Sequence, residues 1–134
     1  MKVANHTRLD TDTVRAMVQI LTKGIARRIQ AVNVGYTKKH EYHGSCQYHF
    51  SMILNVAVAK QESGLYPISM NKHRNIHFNF PKYEVNNELE ACLVVLAHEI
   101  YHAKASIHHW KNTEKRAETY AFKTLEQFKN KYWS

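Results

Sequence analysis

Two histidines and a glutamate are grouped late in the chain, in a spacing that suits a metal ion. The segment reads His98-Glu99-Ile100-Tyr101-His102, an HEXXH pattern. Residues four apart in a helix lie on one face, one turn apart, so both imidazoles can bind one Zn²⁺. Glu99 can then act as the general base toward water in peptide hydrolysis. Because this group follows a strongly apolar stretch, burying it without a partner would be costly, which favours the metal interpretation.

A catalytic zinc site needs a third protein ligand and an open position, and the sequence offers two residues for that ligand. His108 follows His98 by ten residues, the spacing of the metzincin pattern HEXXHXXGXXH, but Ala105 stands where that pattern has glycine. The glycine allows a sharp turn after the helix, whereas alanine is disfavoured at positive φ. Glu114, at the start of the next predicted helix, is the preferred ligand. The alternative explanation is the ordinary preference for acids in a first helical turn.

Glu114 also begins a second pattern, EXXA[DE], which ends at Glu118. Both acids share the apolar face of their predicted helix, together with the small Ala117. The pattern predicts that Glu118 orients a ligand histidine, with a surface salt bridge as the alternative. Small Ala117 would let the two helices approach closely. His109 and Tyr120 are candidates for stabilising an oxyanion, as are Tyr101 and His108, because that role needs a hydrogen-bond donor near the developing charge.

Periodicity predicts the elements that position these residues. The apolar spacing predicts an amphipathic helix first and two more helices last, with alternating strands between them. The candidate caps of the first helix are the residues Asp10-Thr11-Asp12-Thr13. Asn86 or Asn87 is predicted to cap the HEXXH helix, where Glu90 stands three residues beyond Asn87 in a capping-box relation. This order predicts one α+β domain over residues 1–134 with a small, mostly antiparallel sheet. The predicted helices are 11–30, 88–106 and 113–132. The predicted strands are 31–36, 48–58 (or a helix over 51–60) and 75–80, with a polar connection at 38–44 and a loop at Gly64 and Pro67.

Composition limits the class of protein. The 134 residues are 44% hydrophobic, which fits a globular domain, and no apolar run is long enough to span a membrane. The N-terminus has no apolar segment typical of a secretory signal, and Cys46 and Cys92 are too few for a disulfide framework, so we expect a cytoplasmic protein. The net charge of +8 is spread along the chain. A solvated basic surface is favoured over specific nucleic-acid binding, since no binding motif accompanies the charge.

The segments HEIYH at 98–102 and EKRAE at 114–118 resemble the gluzincin branch of zinc metallopeptidases, and are similar to those of minigluzincins and ImmA/IrrE-type peptidases. The resemblance implies a minimal zincin-like domain with one Zn²⁺ held by His98, His102 and Glu114. It also implies that Glu99 is catalytic and that Glu118 supports the first histidine. The segment NIHFNF at 75–80 resembles the edge strand beside which zincins bind an extended peptide. SprT-like proteases, which use a histidine as third ligand, match less well because of Glu114.

The functional hypothesis is a zinc metalloendopeptidase of the HEXXH type that cleaves a peptide or protein substrate. The alternative is a non-catalytic or regulatory binding module on a zincin scaffold, associated with nucleic acid through its basic surface in the SprT-like manner. A self-inhibited zymogen, with one terminus filling the cleft, is a third interpretation. No membrane partner is expected.

Overall fold

The computed structural model describes residues 1–37, 43–47, 52–59, 68–69 and 84–133. Its two long helices are the last elements of the chain, and the strands precede them. The predicted strand at 75–80, the loop at Gly64 and Pro67 and most of the predicted connection at 38–44 lie outside the described residues. The elements are β1 (Lys2–Asn5), α1 (Thr11–Leu21), a 3-10 turn (Ala26–Arg28), β2 (Ile29–Thr37), β3 (His43–Gln47), β4 (Met52–Ala59), β5 (Ile68–Ser69), β6 (Glu84–Val85), α2 (Glu88–His108) and α3 (Glu114–Lys131).

Four strands form the main sheet in the order β1-β2-β4-β3, while β5 and β6 pair separately. The predicted α+β class is confirmed, but the expectation of a mostly antiparallel sheet is wrong. β2 pairs in parallel with both β1 and β4, and only β3 runs antiparallel to its neighbour β4. One parallel pair arises because β3, which lies between β2 and β4 along the chain, pairs on the far side of β4. The other parallel pair involves β1, a strand that the sequence patterns did not predict. Since α1 lies between β1 and β2 along the chain, it acts as the crossover that a parallel pair requires.

One face of this sheet is buried in the core. Met52, Leu54, Val56 and Val58 are almost fully buried, while the residues between them are half-buried. This period of two confirms the strand prediction over the helix alternative for the described part of that segment. The predicted connection at 38–44 is wrong at its end, because β3 already begins at His43.

The first helix is shorter than predicted. Of the four candidate caps, Asp10 is the one used, and it accepts a hydrogen bond from the Thr13 amide at 2.9 Å. The helix ends at Leu21 rather than at residue 30, and Gly24 follows with a φ of 90°. Glycine adopts this conformation without the steric cost of a Cβ, so the chain turns there and enters β2. Ile25 is still buried, although it lies in the turn and not on the helix.

The helix α2 packs against β4, β3 and α3. Asn87 caps its N-terminus and accepts a hydrogen bond from the Glu90 amide at 2.9 Å, as the capping-box pattern predicts. Every residue from Glu90 to Tyr101 is buried. Cys92 is among them, and burial raises the pKa of its thiol to about 12, which fits an unreactive core residue. No helix in the described ranges is long and apolar enough to cross a membrane.

The helix α3 returns along α2 after a short turn. Thr113 caps it, accepting a hydrogen bond from the Arg116 amide at 3.2 Å. Ala117 and Ala121 are fully buried on the face that meets α2. A methyl group at these positions lets the helices approach closely, which brings the first turn of α3 alongside the HEXXH segment of α2.

Candidate metal site

Three side chains from α2 and α3 place their donor atoms around one point. His98 Nε2 lies 2.9 Å from Glu114 Oε2, and His102 Nε2 lies 3.0 Å from Glu114 Oε1. The two Nε2 atoms are 3.1 Å apart. The helical i, i+4 spacing explains why both imidazoles face the same way, and the close approach of α3 explains why Glu114 reaches both. The cluster of His98, His102 and Glu114 could therefore hold a metal ion.

Each histidine is held from behind by a second hydrogen bond. His98 Nδ1 donates to Glu118 Oε1 at 3.0 Å, and His102 Nδ1 donates to Asn112 Oδ1 at 2.5 Å. An acceptor at Nδ1 fixes the ring orientation and directs Nε2 toward a metal, an arrangement that is usual for metal-binding histidines. The structure thus brings Glu118 to the position that its sequence pattern predicted.

Asn112 contacts the candidate metal site, although the sequence patterns did not predict it. It lies in the turn between α2 and α3, two residues before Glu114. No periodic pattern covers that turn, and a lone asparagine is common in turns for local reasons. The one indication in the sequence was that Asn112 lies near Glu114 along the chain. The direction of the Asn112 side chain depends on how the turn packs, which the sequence pattern does not determine.

The ionisation of these groups follows from their contacts. Burial disfavours the charged form of His98, but its hydrogen bonds to Glu114 and Glu118 outweigh burial and raise its pKa to about 10. Burial likewise opposes protonation of His102, yet bonds to Glu114 and Asn112 raise its pKa above the ordinary value. Hydrogen bonds from His102 and His98 lower the pKa of Glu114 far below its usual range. A metal ion binding here would replace protons on the histidines.

The donor set fits zinc. Two imidazole nitrogens and one carboxylate are common ligands of catalytic Zn²⁺, and tetrahedral bonds of this kind place ligand atoms roughly 3.4 Å apart. The observed separations of 2.9 to 3.1 Å would need to widen by only a few tenths of an ångström. The Glu114 side chain is 44% exposed, whereas those of His98 and His102 are 11% and 12% exposed. The site is therefore buried on the α2 side and reachable from solvent on the α3 side.

Glu99 lies next to this cluster and differs from the other acids of the site. It is buried, with 7% of its surface exposed. Within the described part of the chain its carboxylate meets no hydrogen-bond donor. Burial raises its pKa, partly offset by the nearby His98 and His102. A carboxylate with a raised pKa beside a metal site is a better proton acceptor than an ordinary surface acid.

The structure does not bring His108 into the cluster. Since α2 stays helical through His108, that residue lies six positions beyond His102, about 9 Å further along the helix axis. The left-handed residue that ends the helix is His109, with φ 58° and ψ 36°. His108 is exposed and stacks on the Trp110 ring, with the ring centroids 5.0 Å apart.

The residues considered for the oxyanion have other contacts. The Tyr101 hydroxyl donates to the Lys111 carbonyl at 2.8 Å, which anchors the turn between α2 and α3. The Tyr120 hydroxyl accepts from Lys104 Nζ at 3.2 Å. His109 is exposed at the helix end. Their oxyanion role stays a prediction.

The chain was compared with known proteins at three levels. No protein-family model matches it, and no curated protein or solved structure does either. Its function is therefore inferred from the geometry and chemistry of the metal site.

Proposed function

We propose that this protein is a zinc-dependent metallopeptidase that cleaves a peptide or protein substrate. The observation that supports it most directly is the pair of contacts from one carboxylate, Glu114, to the Nε2 atoms of both HEXXH histidines. The HEXXH spacing, the Nδ1 acceptors and the buried Glu99 agree with it. Two imidazole nitrogens and one carboxylate oxygen form a donor set that catalytic zinc sites use.

The mechanism assigns a separate task to each side chain. His98, His102 and Glu114 would hold the ion, while Glu118 and Asn112 keep the imidazoles oriented. Bound zinc supplies an electrophile that polarises the scissile carbonyl and lowers the pKa of water. Glu99 accepts the proton from the attacking water and delivers it to the leaving amine. Its raised pKa helps the first step, because a more basic carboxylate accepts the proton from water more readily.

The sheet offers a place for an extended substrate. Within the described residues β3 is the outer strand on one side of the sheet, and α2 packs against β3 and its neighbour β4. The backbone groups on an outer edge can pair with a peptide, as in β-strand addition. The strand at 75–80, to which the sequence resemblance assigns the same role, lies outside the described residues, and its role stays a prediction.

The test is a comparison of Glu99→Gln with the original protein after both are loaded with zinc. A fluorogenic peptide library supplies the substrate, and zinc content is measured on the same samples. We expect the variant to keep one zinc and to lose hydrolysis by at least ~100-fold, the lower end of what a general base contributes. The exposed Glu126→Gln serves as the matched control and should leave activity unchanged. Full activity of Glu99→Gln would contradict the mechanism.

A further inference from the structure

A second surface lies at the turn between α2 and α3, beside the metal site but distinct from its ligands. Trp110 is 49% exposed and has His108 stacked on one side. Its ring also contacts Tyr101, whose ring in turn packs on Tyr120 at 5.5 Å. A row of ring contacts therefore runs from Trp110 in the turn, through the buried Tyr101, to the half-buried Tyr120 on α3.

Cations flank this row of rings. Lys104 Nζ lies 5.5 Å from the centre of the Tyr120 ring. Arg116 and Lys123 stand four residues before and three residues after Tyr120, on the same face of α3, and both are exposed. We call the set of Lys104, His108, Trp110, Arg116, Tyr120 and Lys123 the turn surface.

The turn surface carries an excess of positive charge. Residues 103–125 contain five Lys or Arg and only two carboxylates. Both carboxylates, Glu114 and Glu118, are turned toward the site histidines. In the described part of the chain no ion pair involves Lys104, Arg116 or Lys123. The surface is therefore cationic and aromatic at the same time.

We propose that the turn surface binds single-stranded nucleic acid. Flat exposed rings give bases a face on which to stack, and the cations contact the phosphates of the backbone. An acidic peptide would match the charge but would make no use of the exposed stacked pair of Trp110 and His108. A duplex keeps its bases stacked inside and away from such a platform. This inference is independent of the peptidase proposal, because none of its residues is placed on the metal.

The experiment measures binding of a fluorescein-labelled dT12 oligonucleotide by anisotropy, for metal-free and zinc-loaded protein. We expect salt-dependent binding in both forms, with a slope of log K against log salt of about −2 for three phosphate contacts. Trp110→Ala should weaken binding by about 10-fold, within the range for one stacked base. Arg116→Ala and Lys123→Ala should each reduce the slope by about 0.7. The exposed Arg15→Ala on α1 removes the same charge and should change neither quantity by a comparable amount.

A direct readout comes from the tryptophans. The chain has two, and Trp133→Phe leaves Trp110 as the sole tryptophan while keeping an aromatic ring beside Phe128. Trp110 emission should then be quenched by dT12 and left unchanged by poly-glutamate. Equal binding of poly-glutamate would overturn the assignment in favour of an acidic protein partner. The nucleic-acid assignment would also be overturned if dT12 did not bind at about 50 mM salt, the low end of the range over which such contacts are measured. The same conclusion would follow if Trp110→Ala left dT12 binding intact.

Discussion

Removing the Glu114 carboxylate tests whether Glu114 or His108 is the third zinc ligand. The side chain contacts both histidine Nε2 atoms, at 2.9 and 3.0 Å, whereas His108 lies beyond the site on the same helix. Glu114→Ala should therefore weaken zinc binding by more than the ~10- to 100-fold typical of residues that only orient a ligand. A loss of ~100-fold is about 2.7 kcal/mol of binding free energy. His108→Ala should change the zinc dissociation constant by less than about twofold.

The assay is a competition titration against a chelating indicator of known affinity, at fixed pH. Because the Glu114 side chain is 44% exposed, water can replace it in the metal-free protein. We expect the loss of stability in the metal-free variant to stay near or below about 1 kcal/mol, so unfolding does not explain lost zinc. Thermal unfolding in chelator checks this point. If His108→Ala weakened zinc binding more than Glu114→Ala, the assignment of Glu114 as the third ligand would be refuted.

Two further predictions concern the groups behind the ligands. Asn112→Ala should weaken zinc binding by about 10- to 100-fold, because His102 Nδ1 loses its acceptor. Asn112→Asp keeps an acceptor and should bind zinc at least as well as the original protein. Equal zinc affinities for all three proteins would contradict the role of Asn112. In the metal-free protein, His98 has a pKa raised from 6.5 to about 10, so its stabilising effect is full below about pH 6.5 and is lost as pH rises through 10. Denaturant unfolding in chelator should show that the free energy of unfolding falls as pH rises, and Glu118→Gln should make that fall smaller. A free energy of unfolding that is constant from about pH 7 to 10 would contradict the raised pKa of His98.

The helices of the site were predictable because their signals are local. The predicted helices at 88–106 and 113–132 agree with α2 and α3 to within two residues at each end. Helix caps and periodic apolar positions depend only on residues close together in the sequence. In this protein the tertiary packing stabilises the same helices that these local signals predict. The same holds for the two histidines of the site, since i, i+4 spacing on a buried helix fixes their relative geometry.

What could not be predicted depends on contacts between distant segments. The strand β1 has only four residues, and its parallel pairing with β2 depends on partners some thirty positions away. The first helix was predicted too long, because the apolar spacing continues to Ile25 even though Gly24 turns the chain. Asn112 was missed because the sequence does not determine where the turn between α2 and α3 directs its side chains.

X-ray absorption spectroscopy of the isolated protein, with a count of its bound metal, tests the metal site most directly. We predict one zinc per chain with two imidazole nitrogens and oxygen ligands, unchanged in His108→Ala and altered in Glu114→Ala. A protein that binds no zinc when the metal is supplied would contradict the zinc assignment. So would a shell of three imidazoles that loses one in His108→Ala.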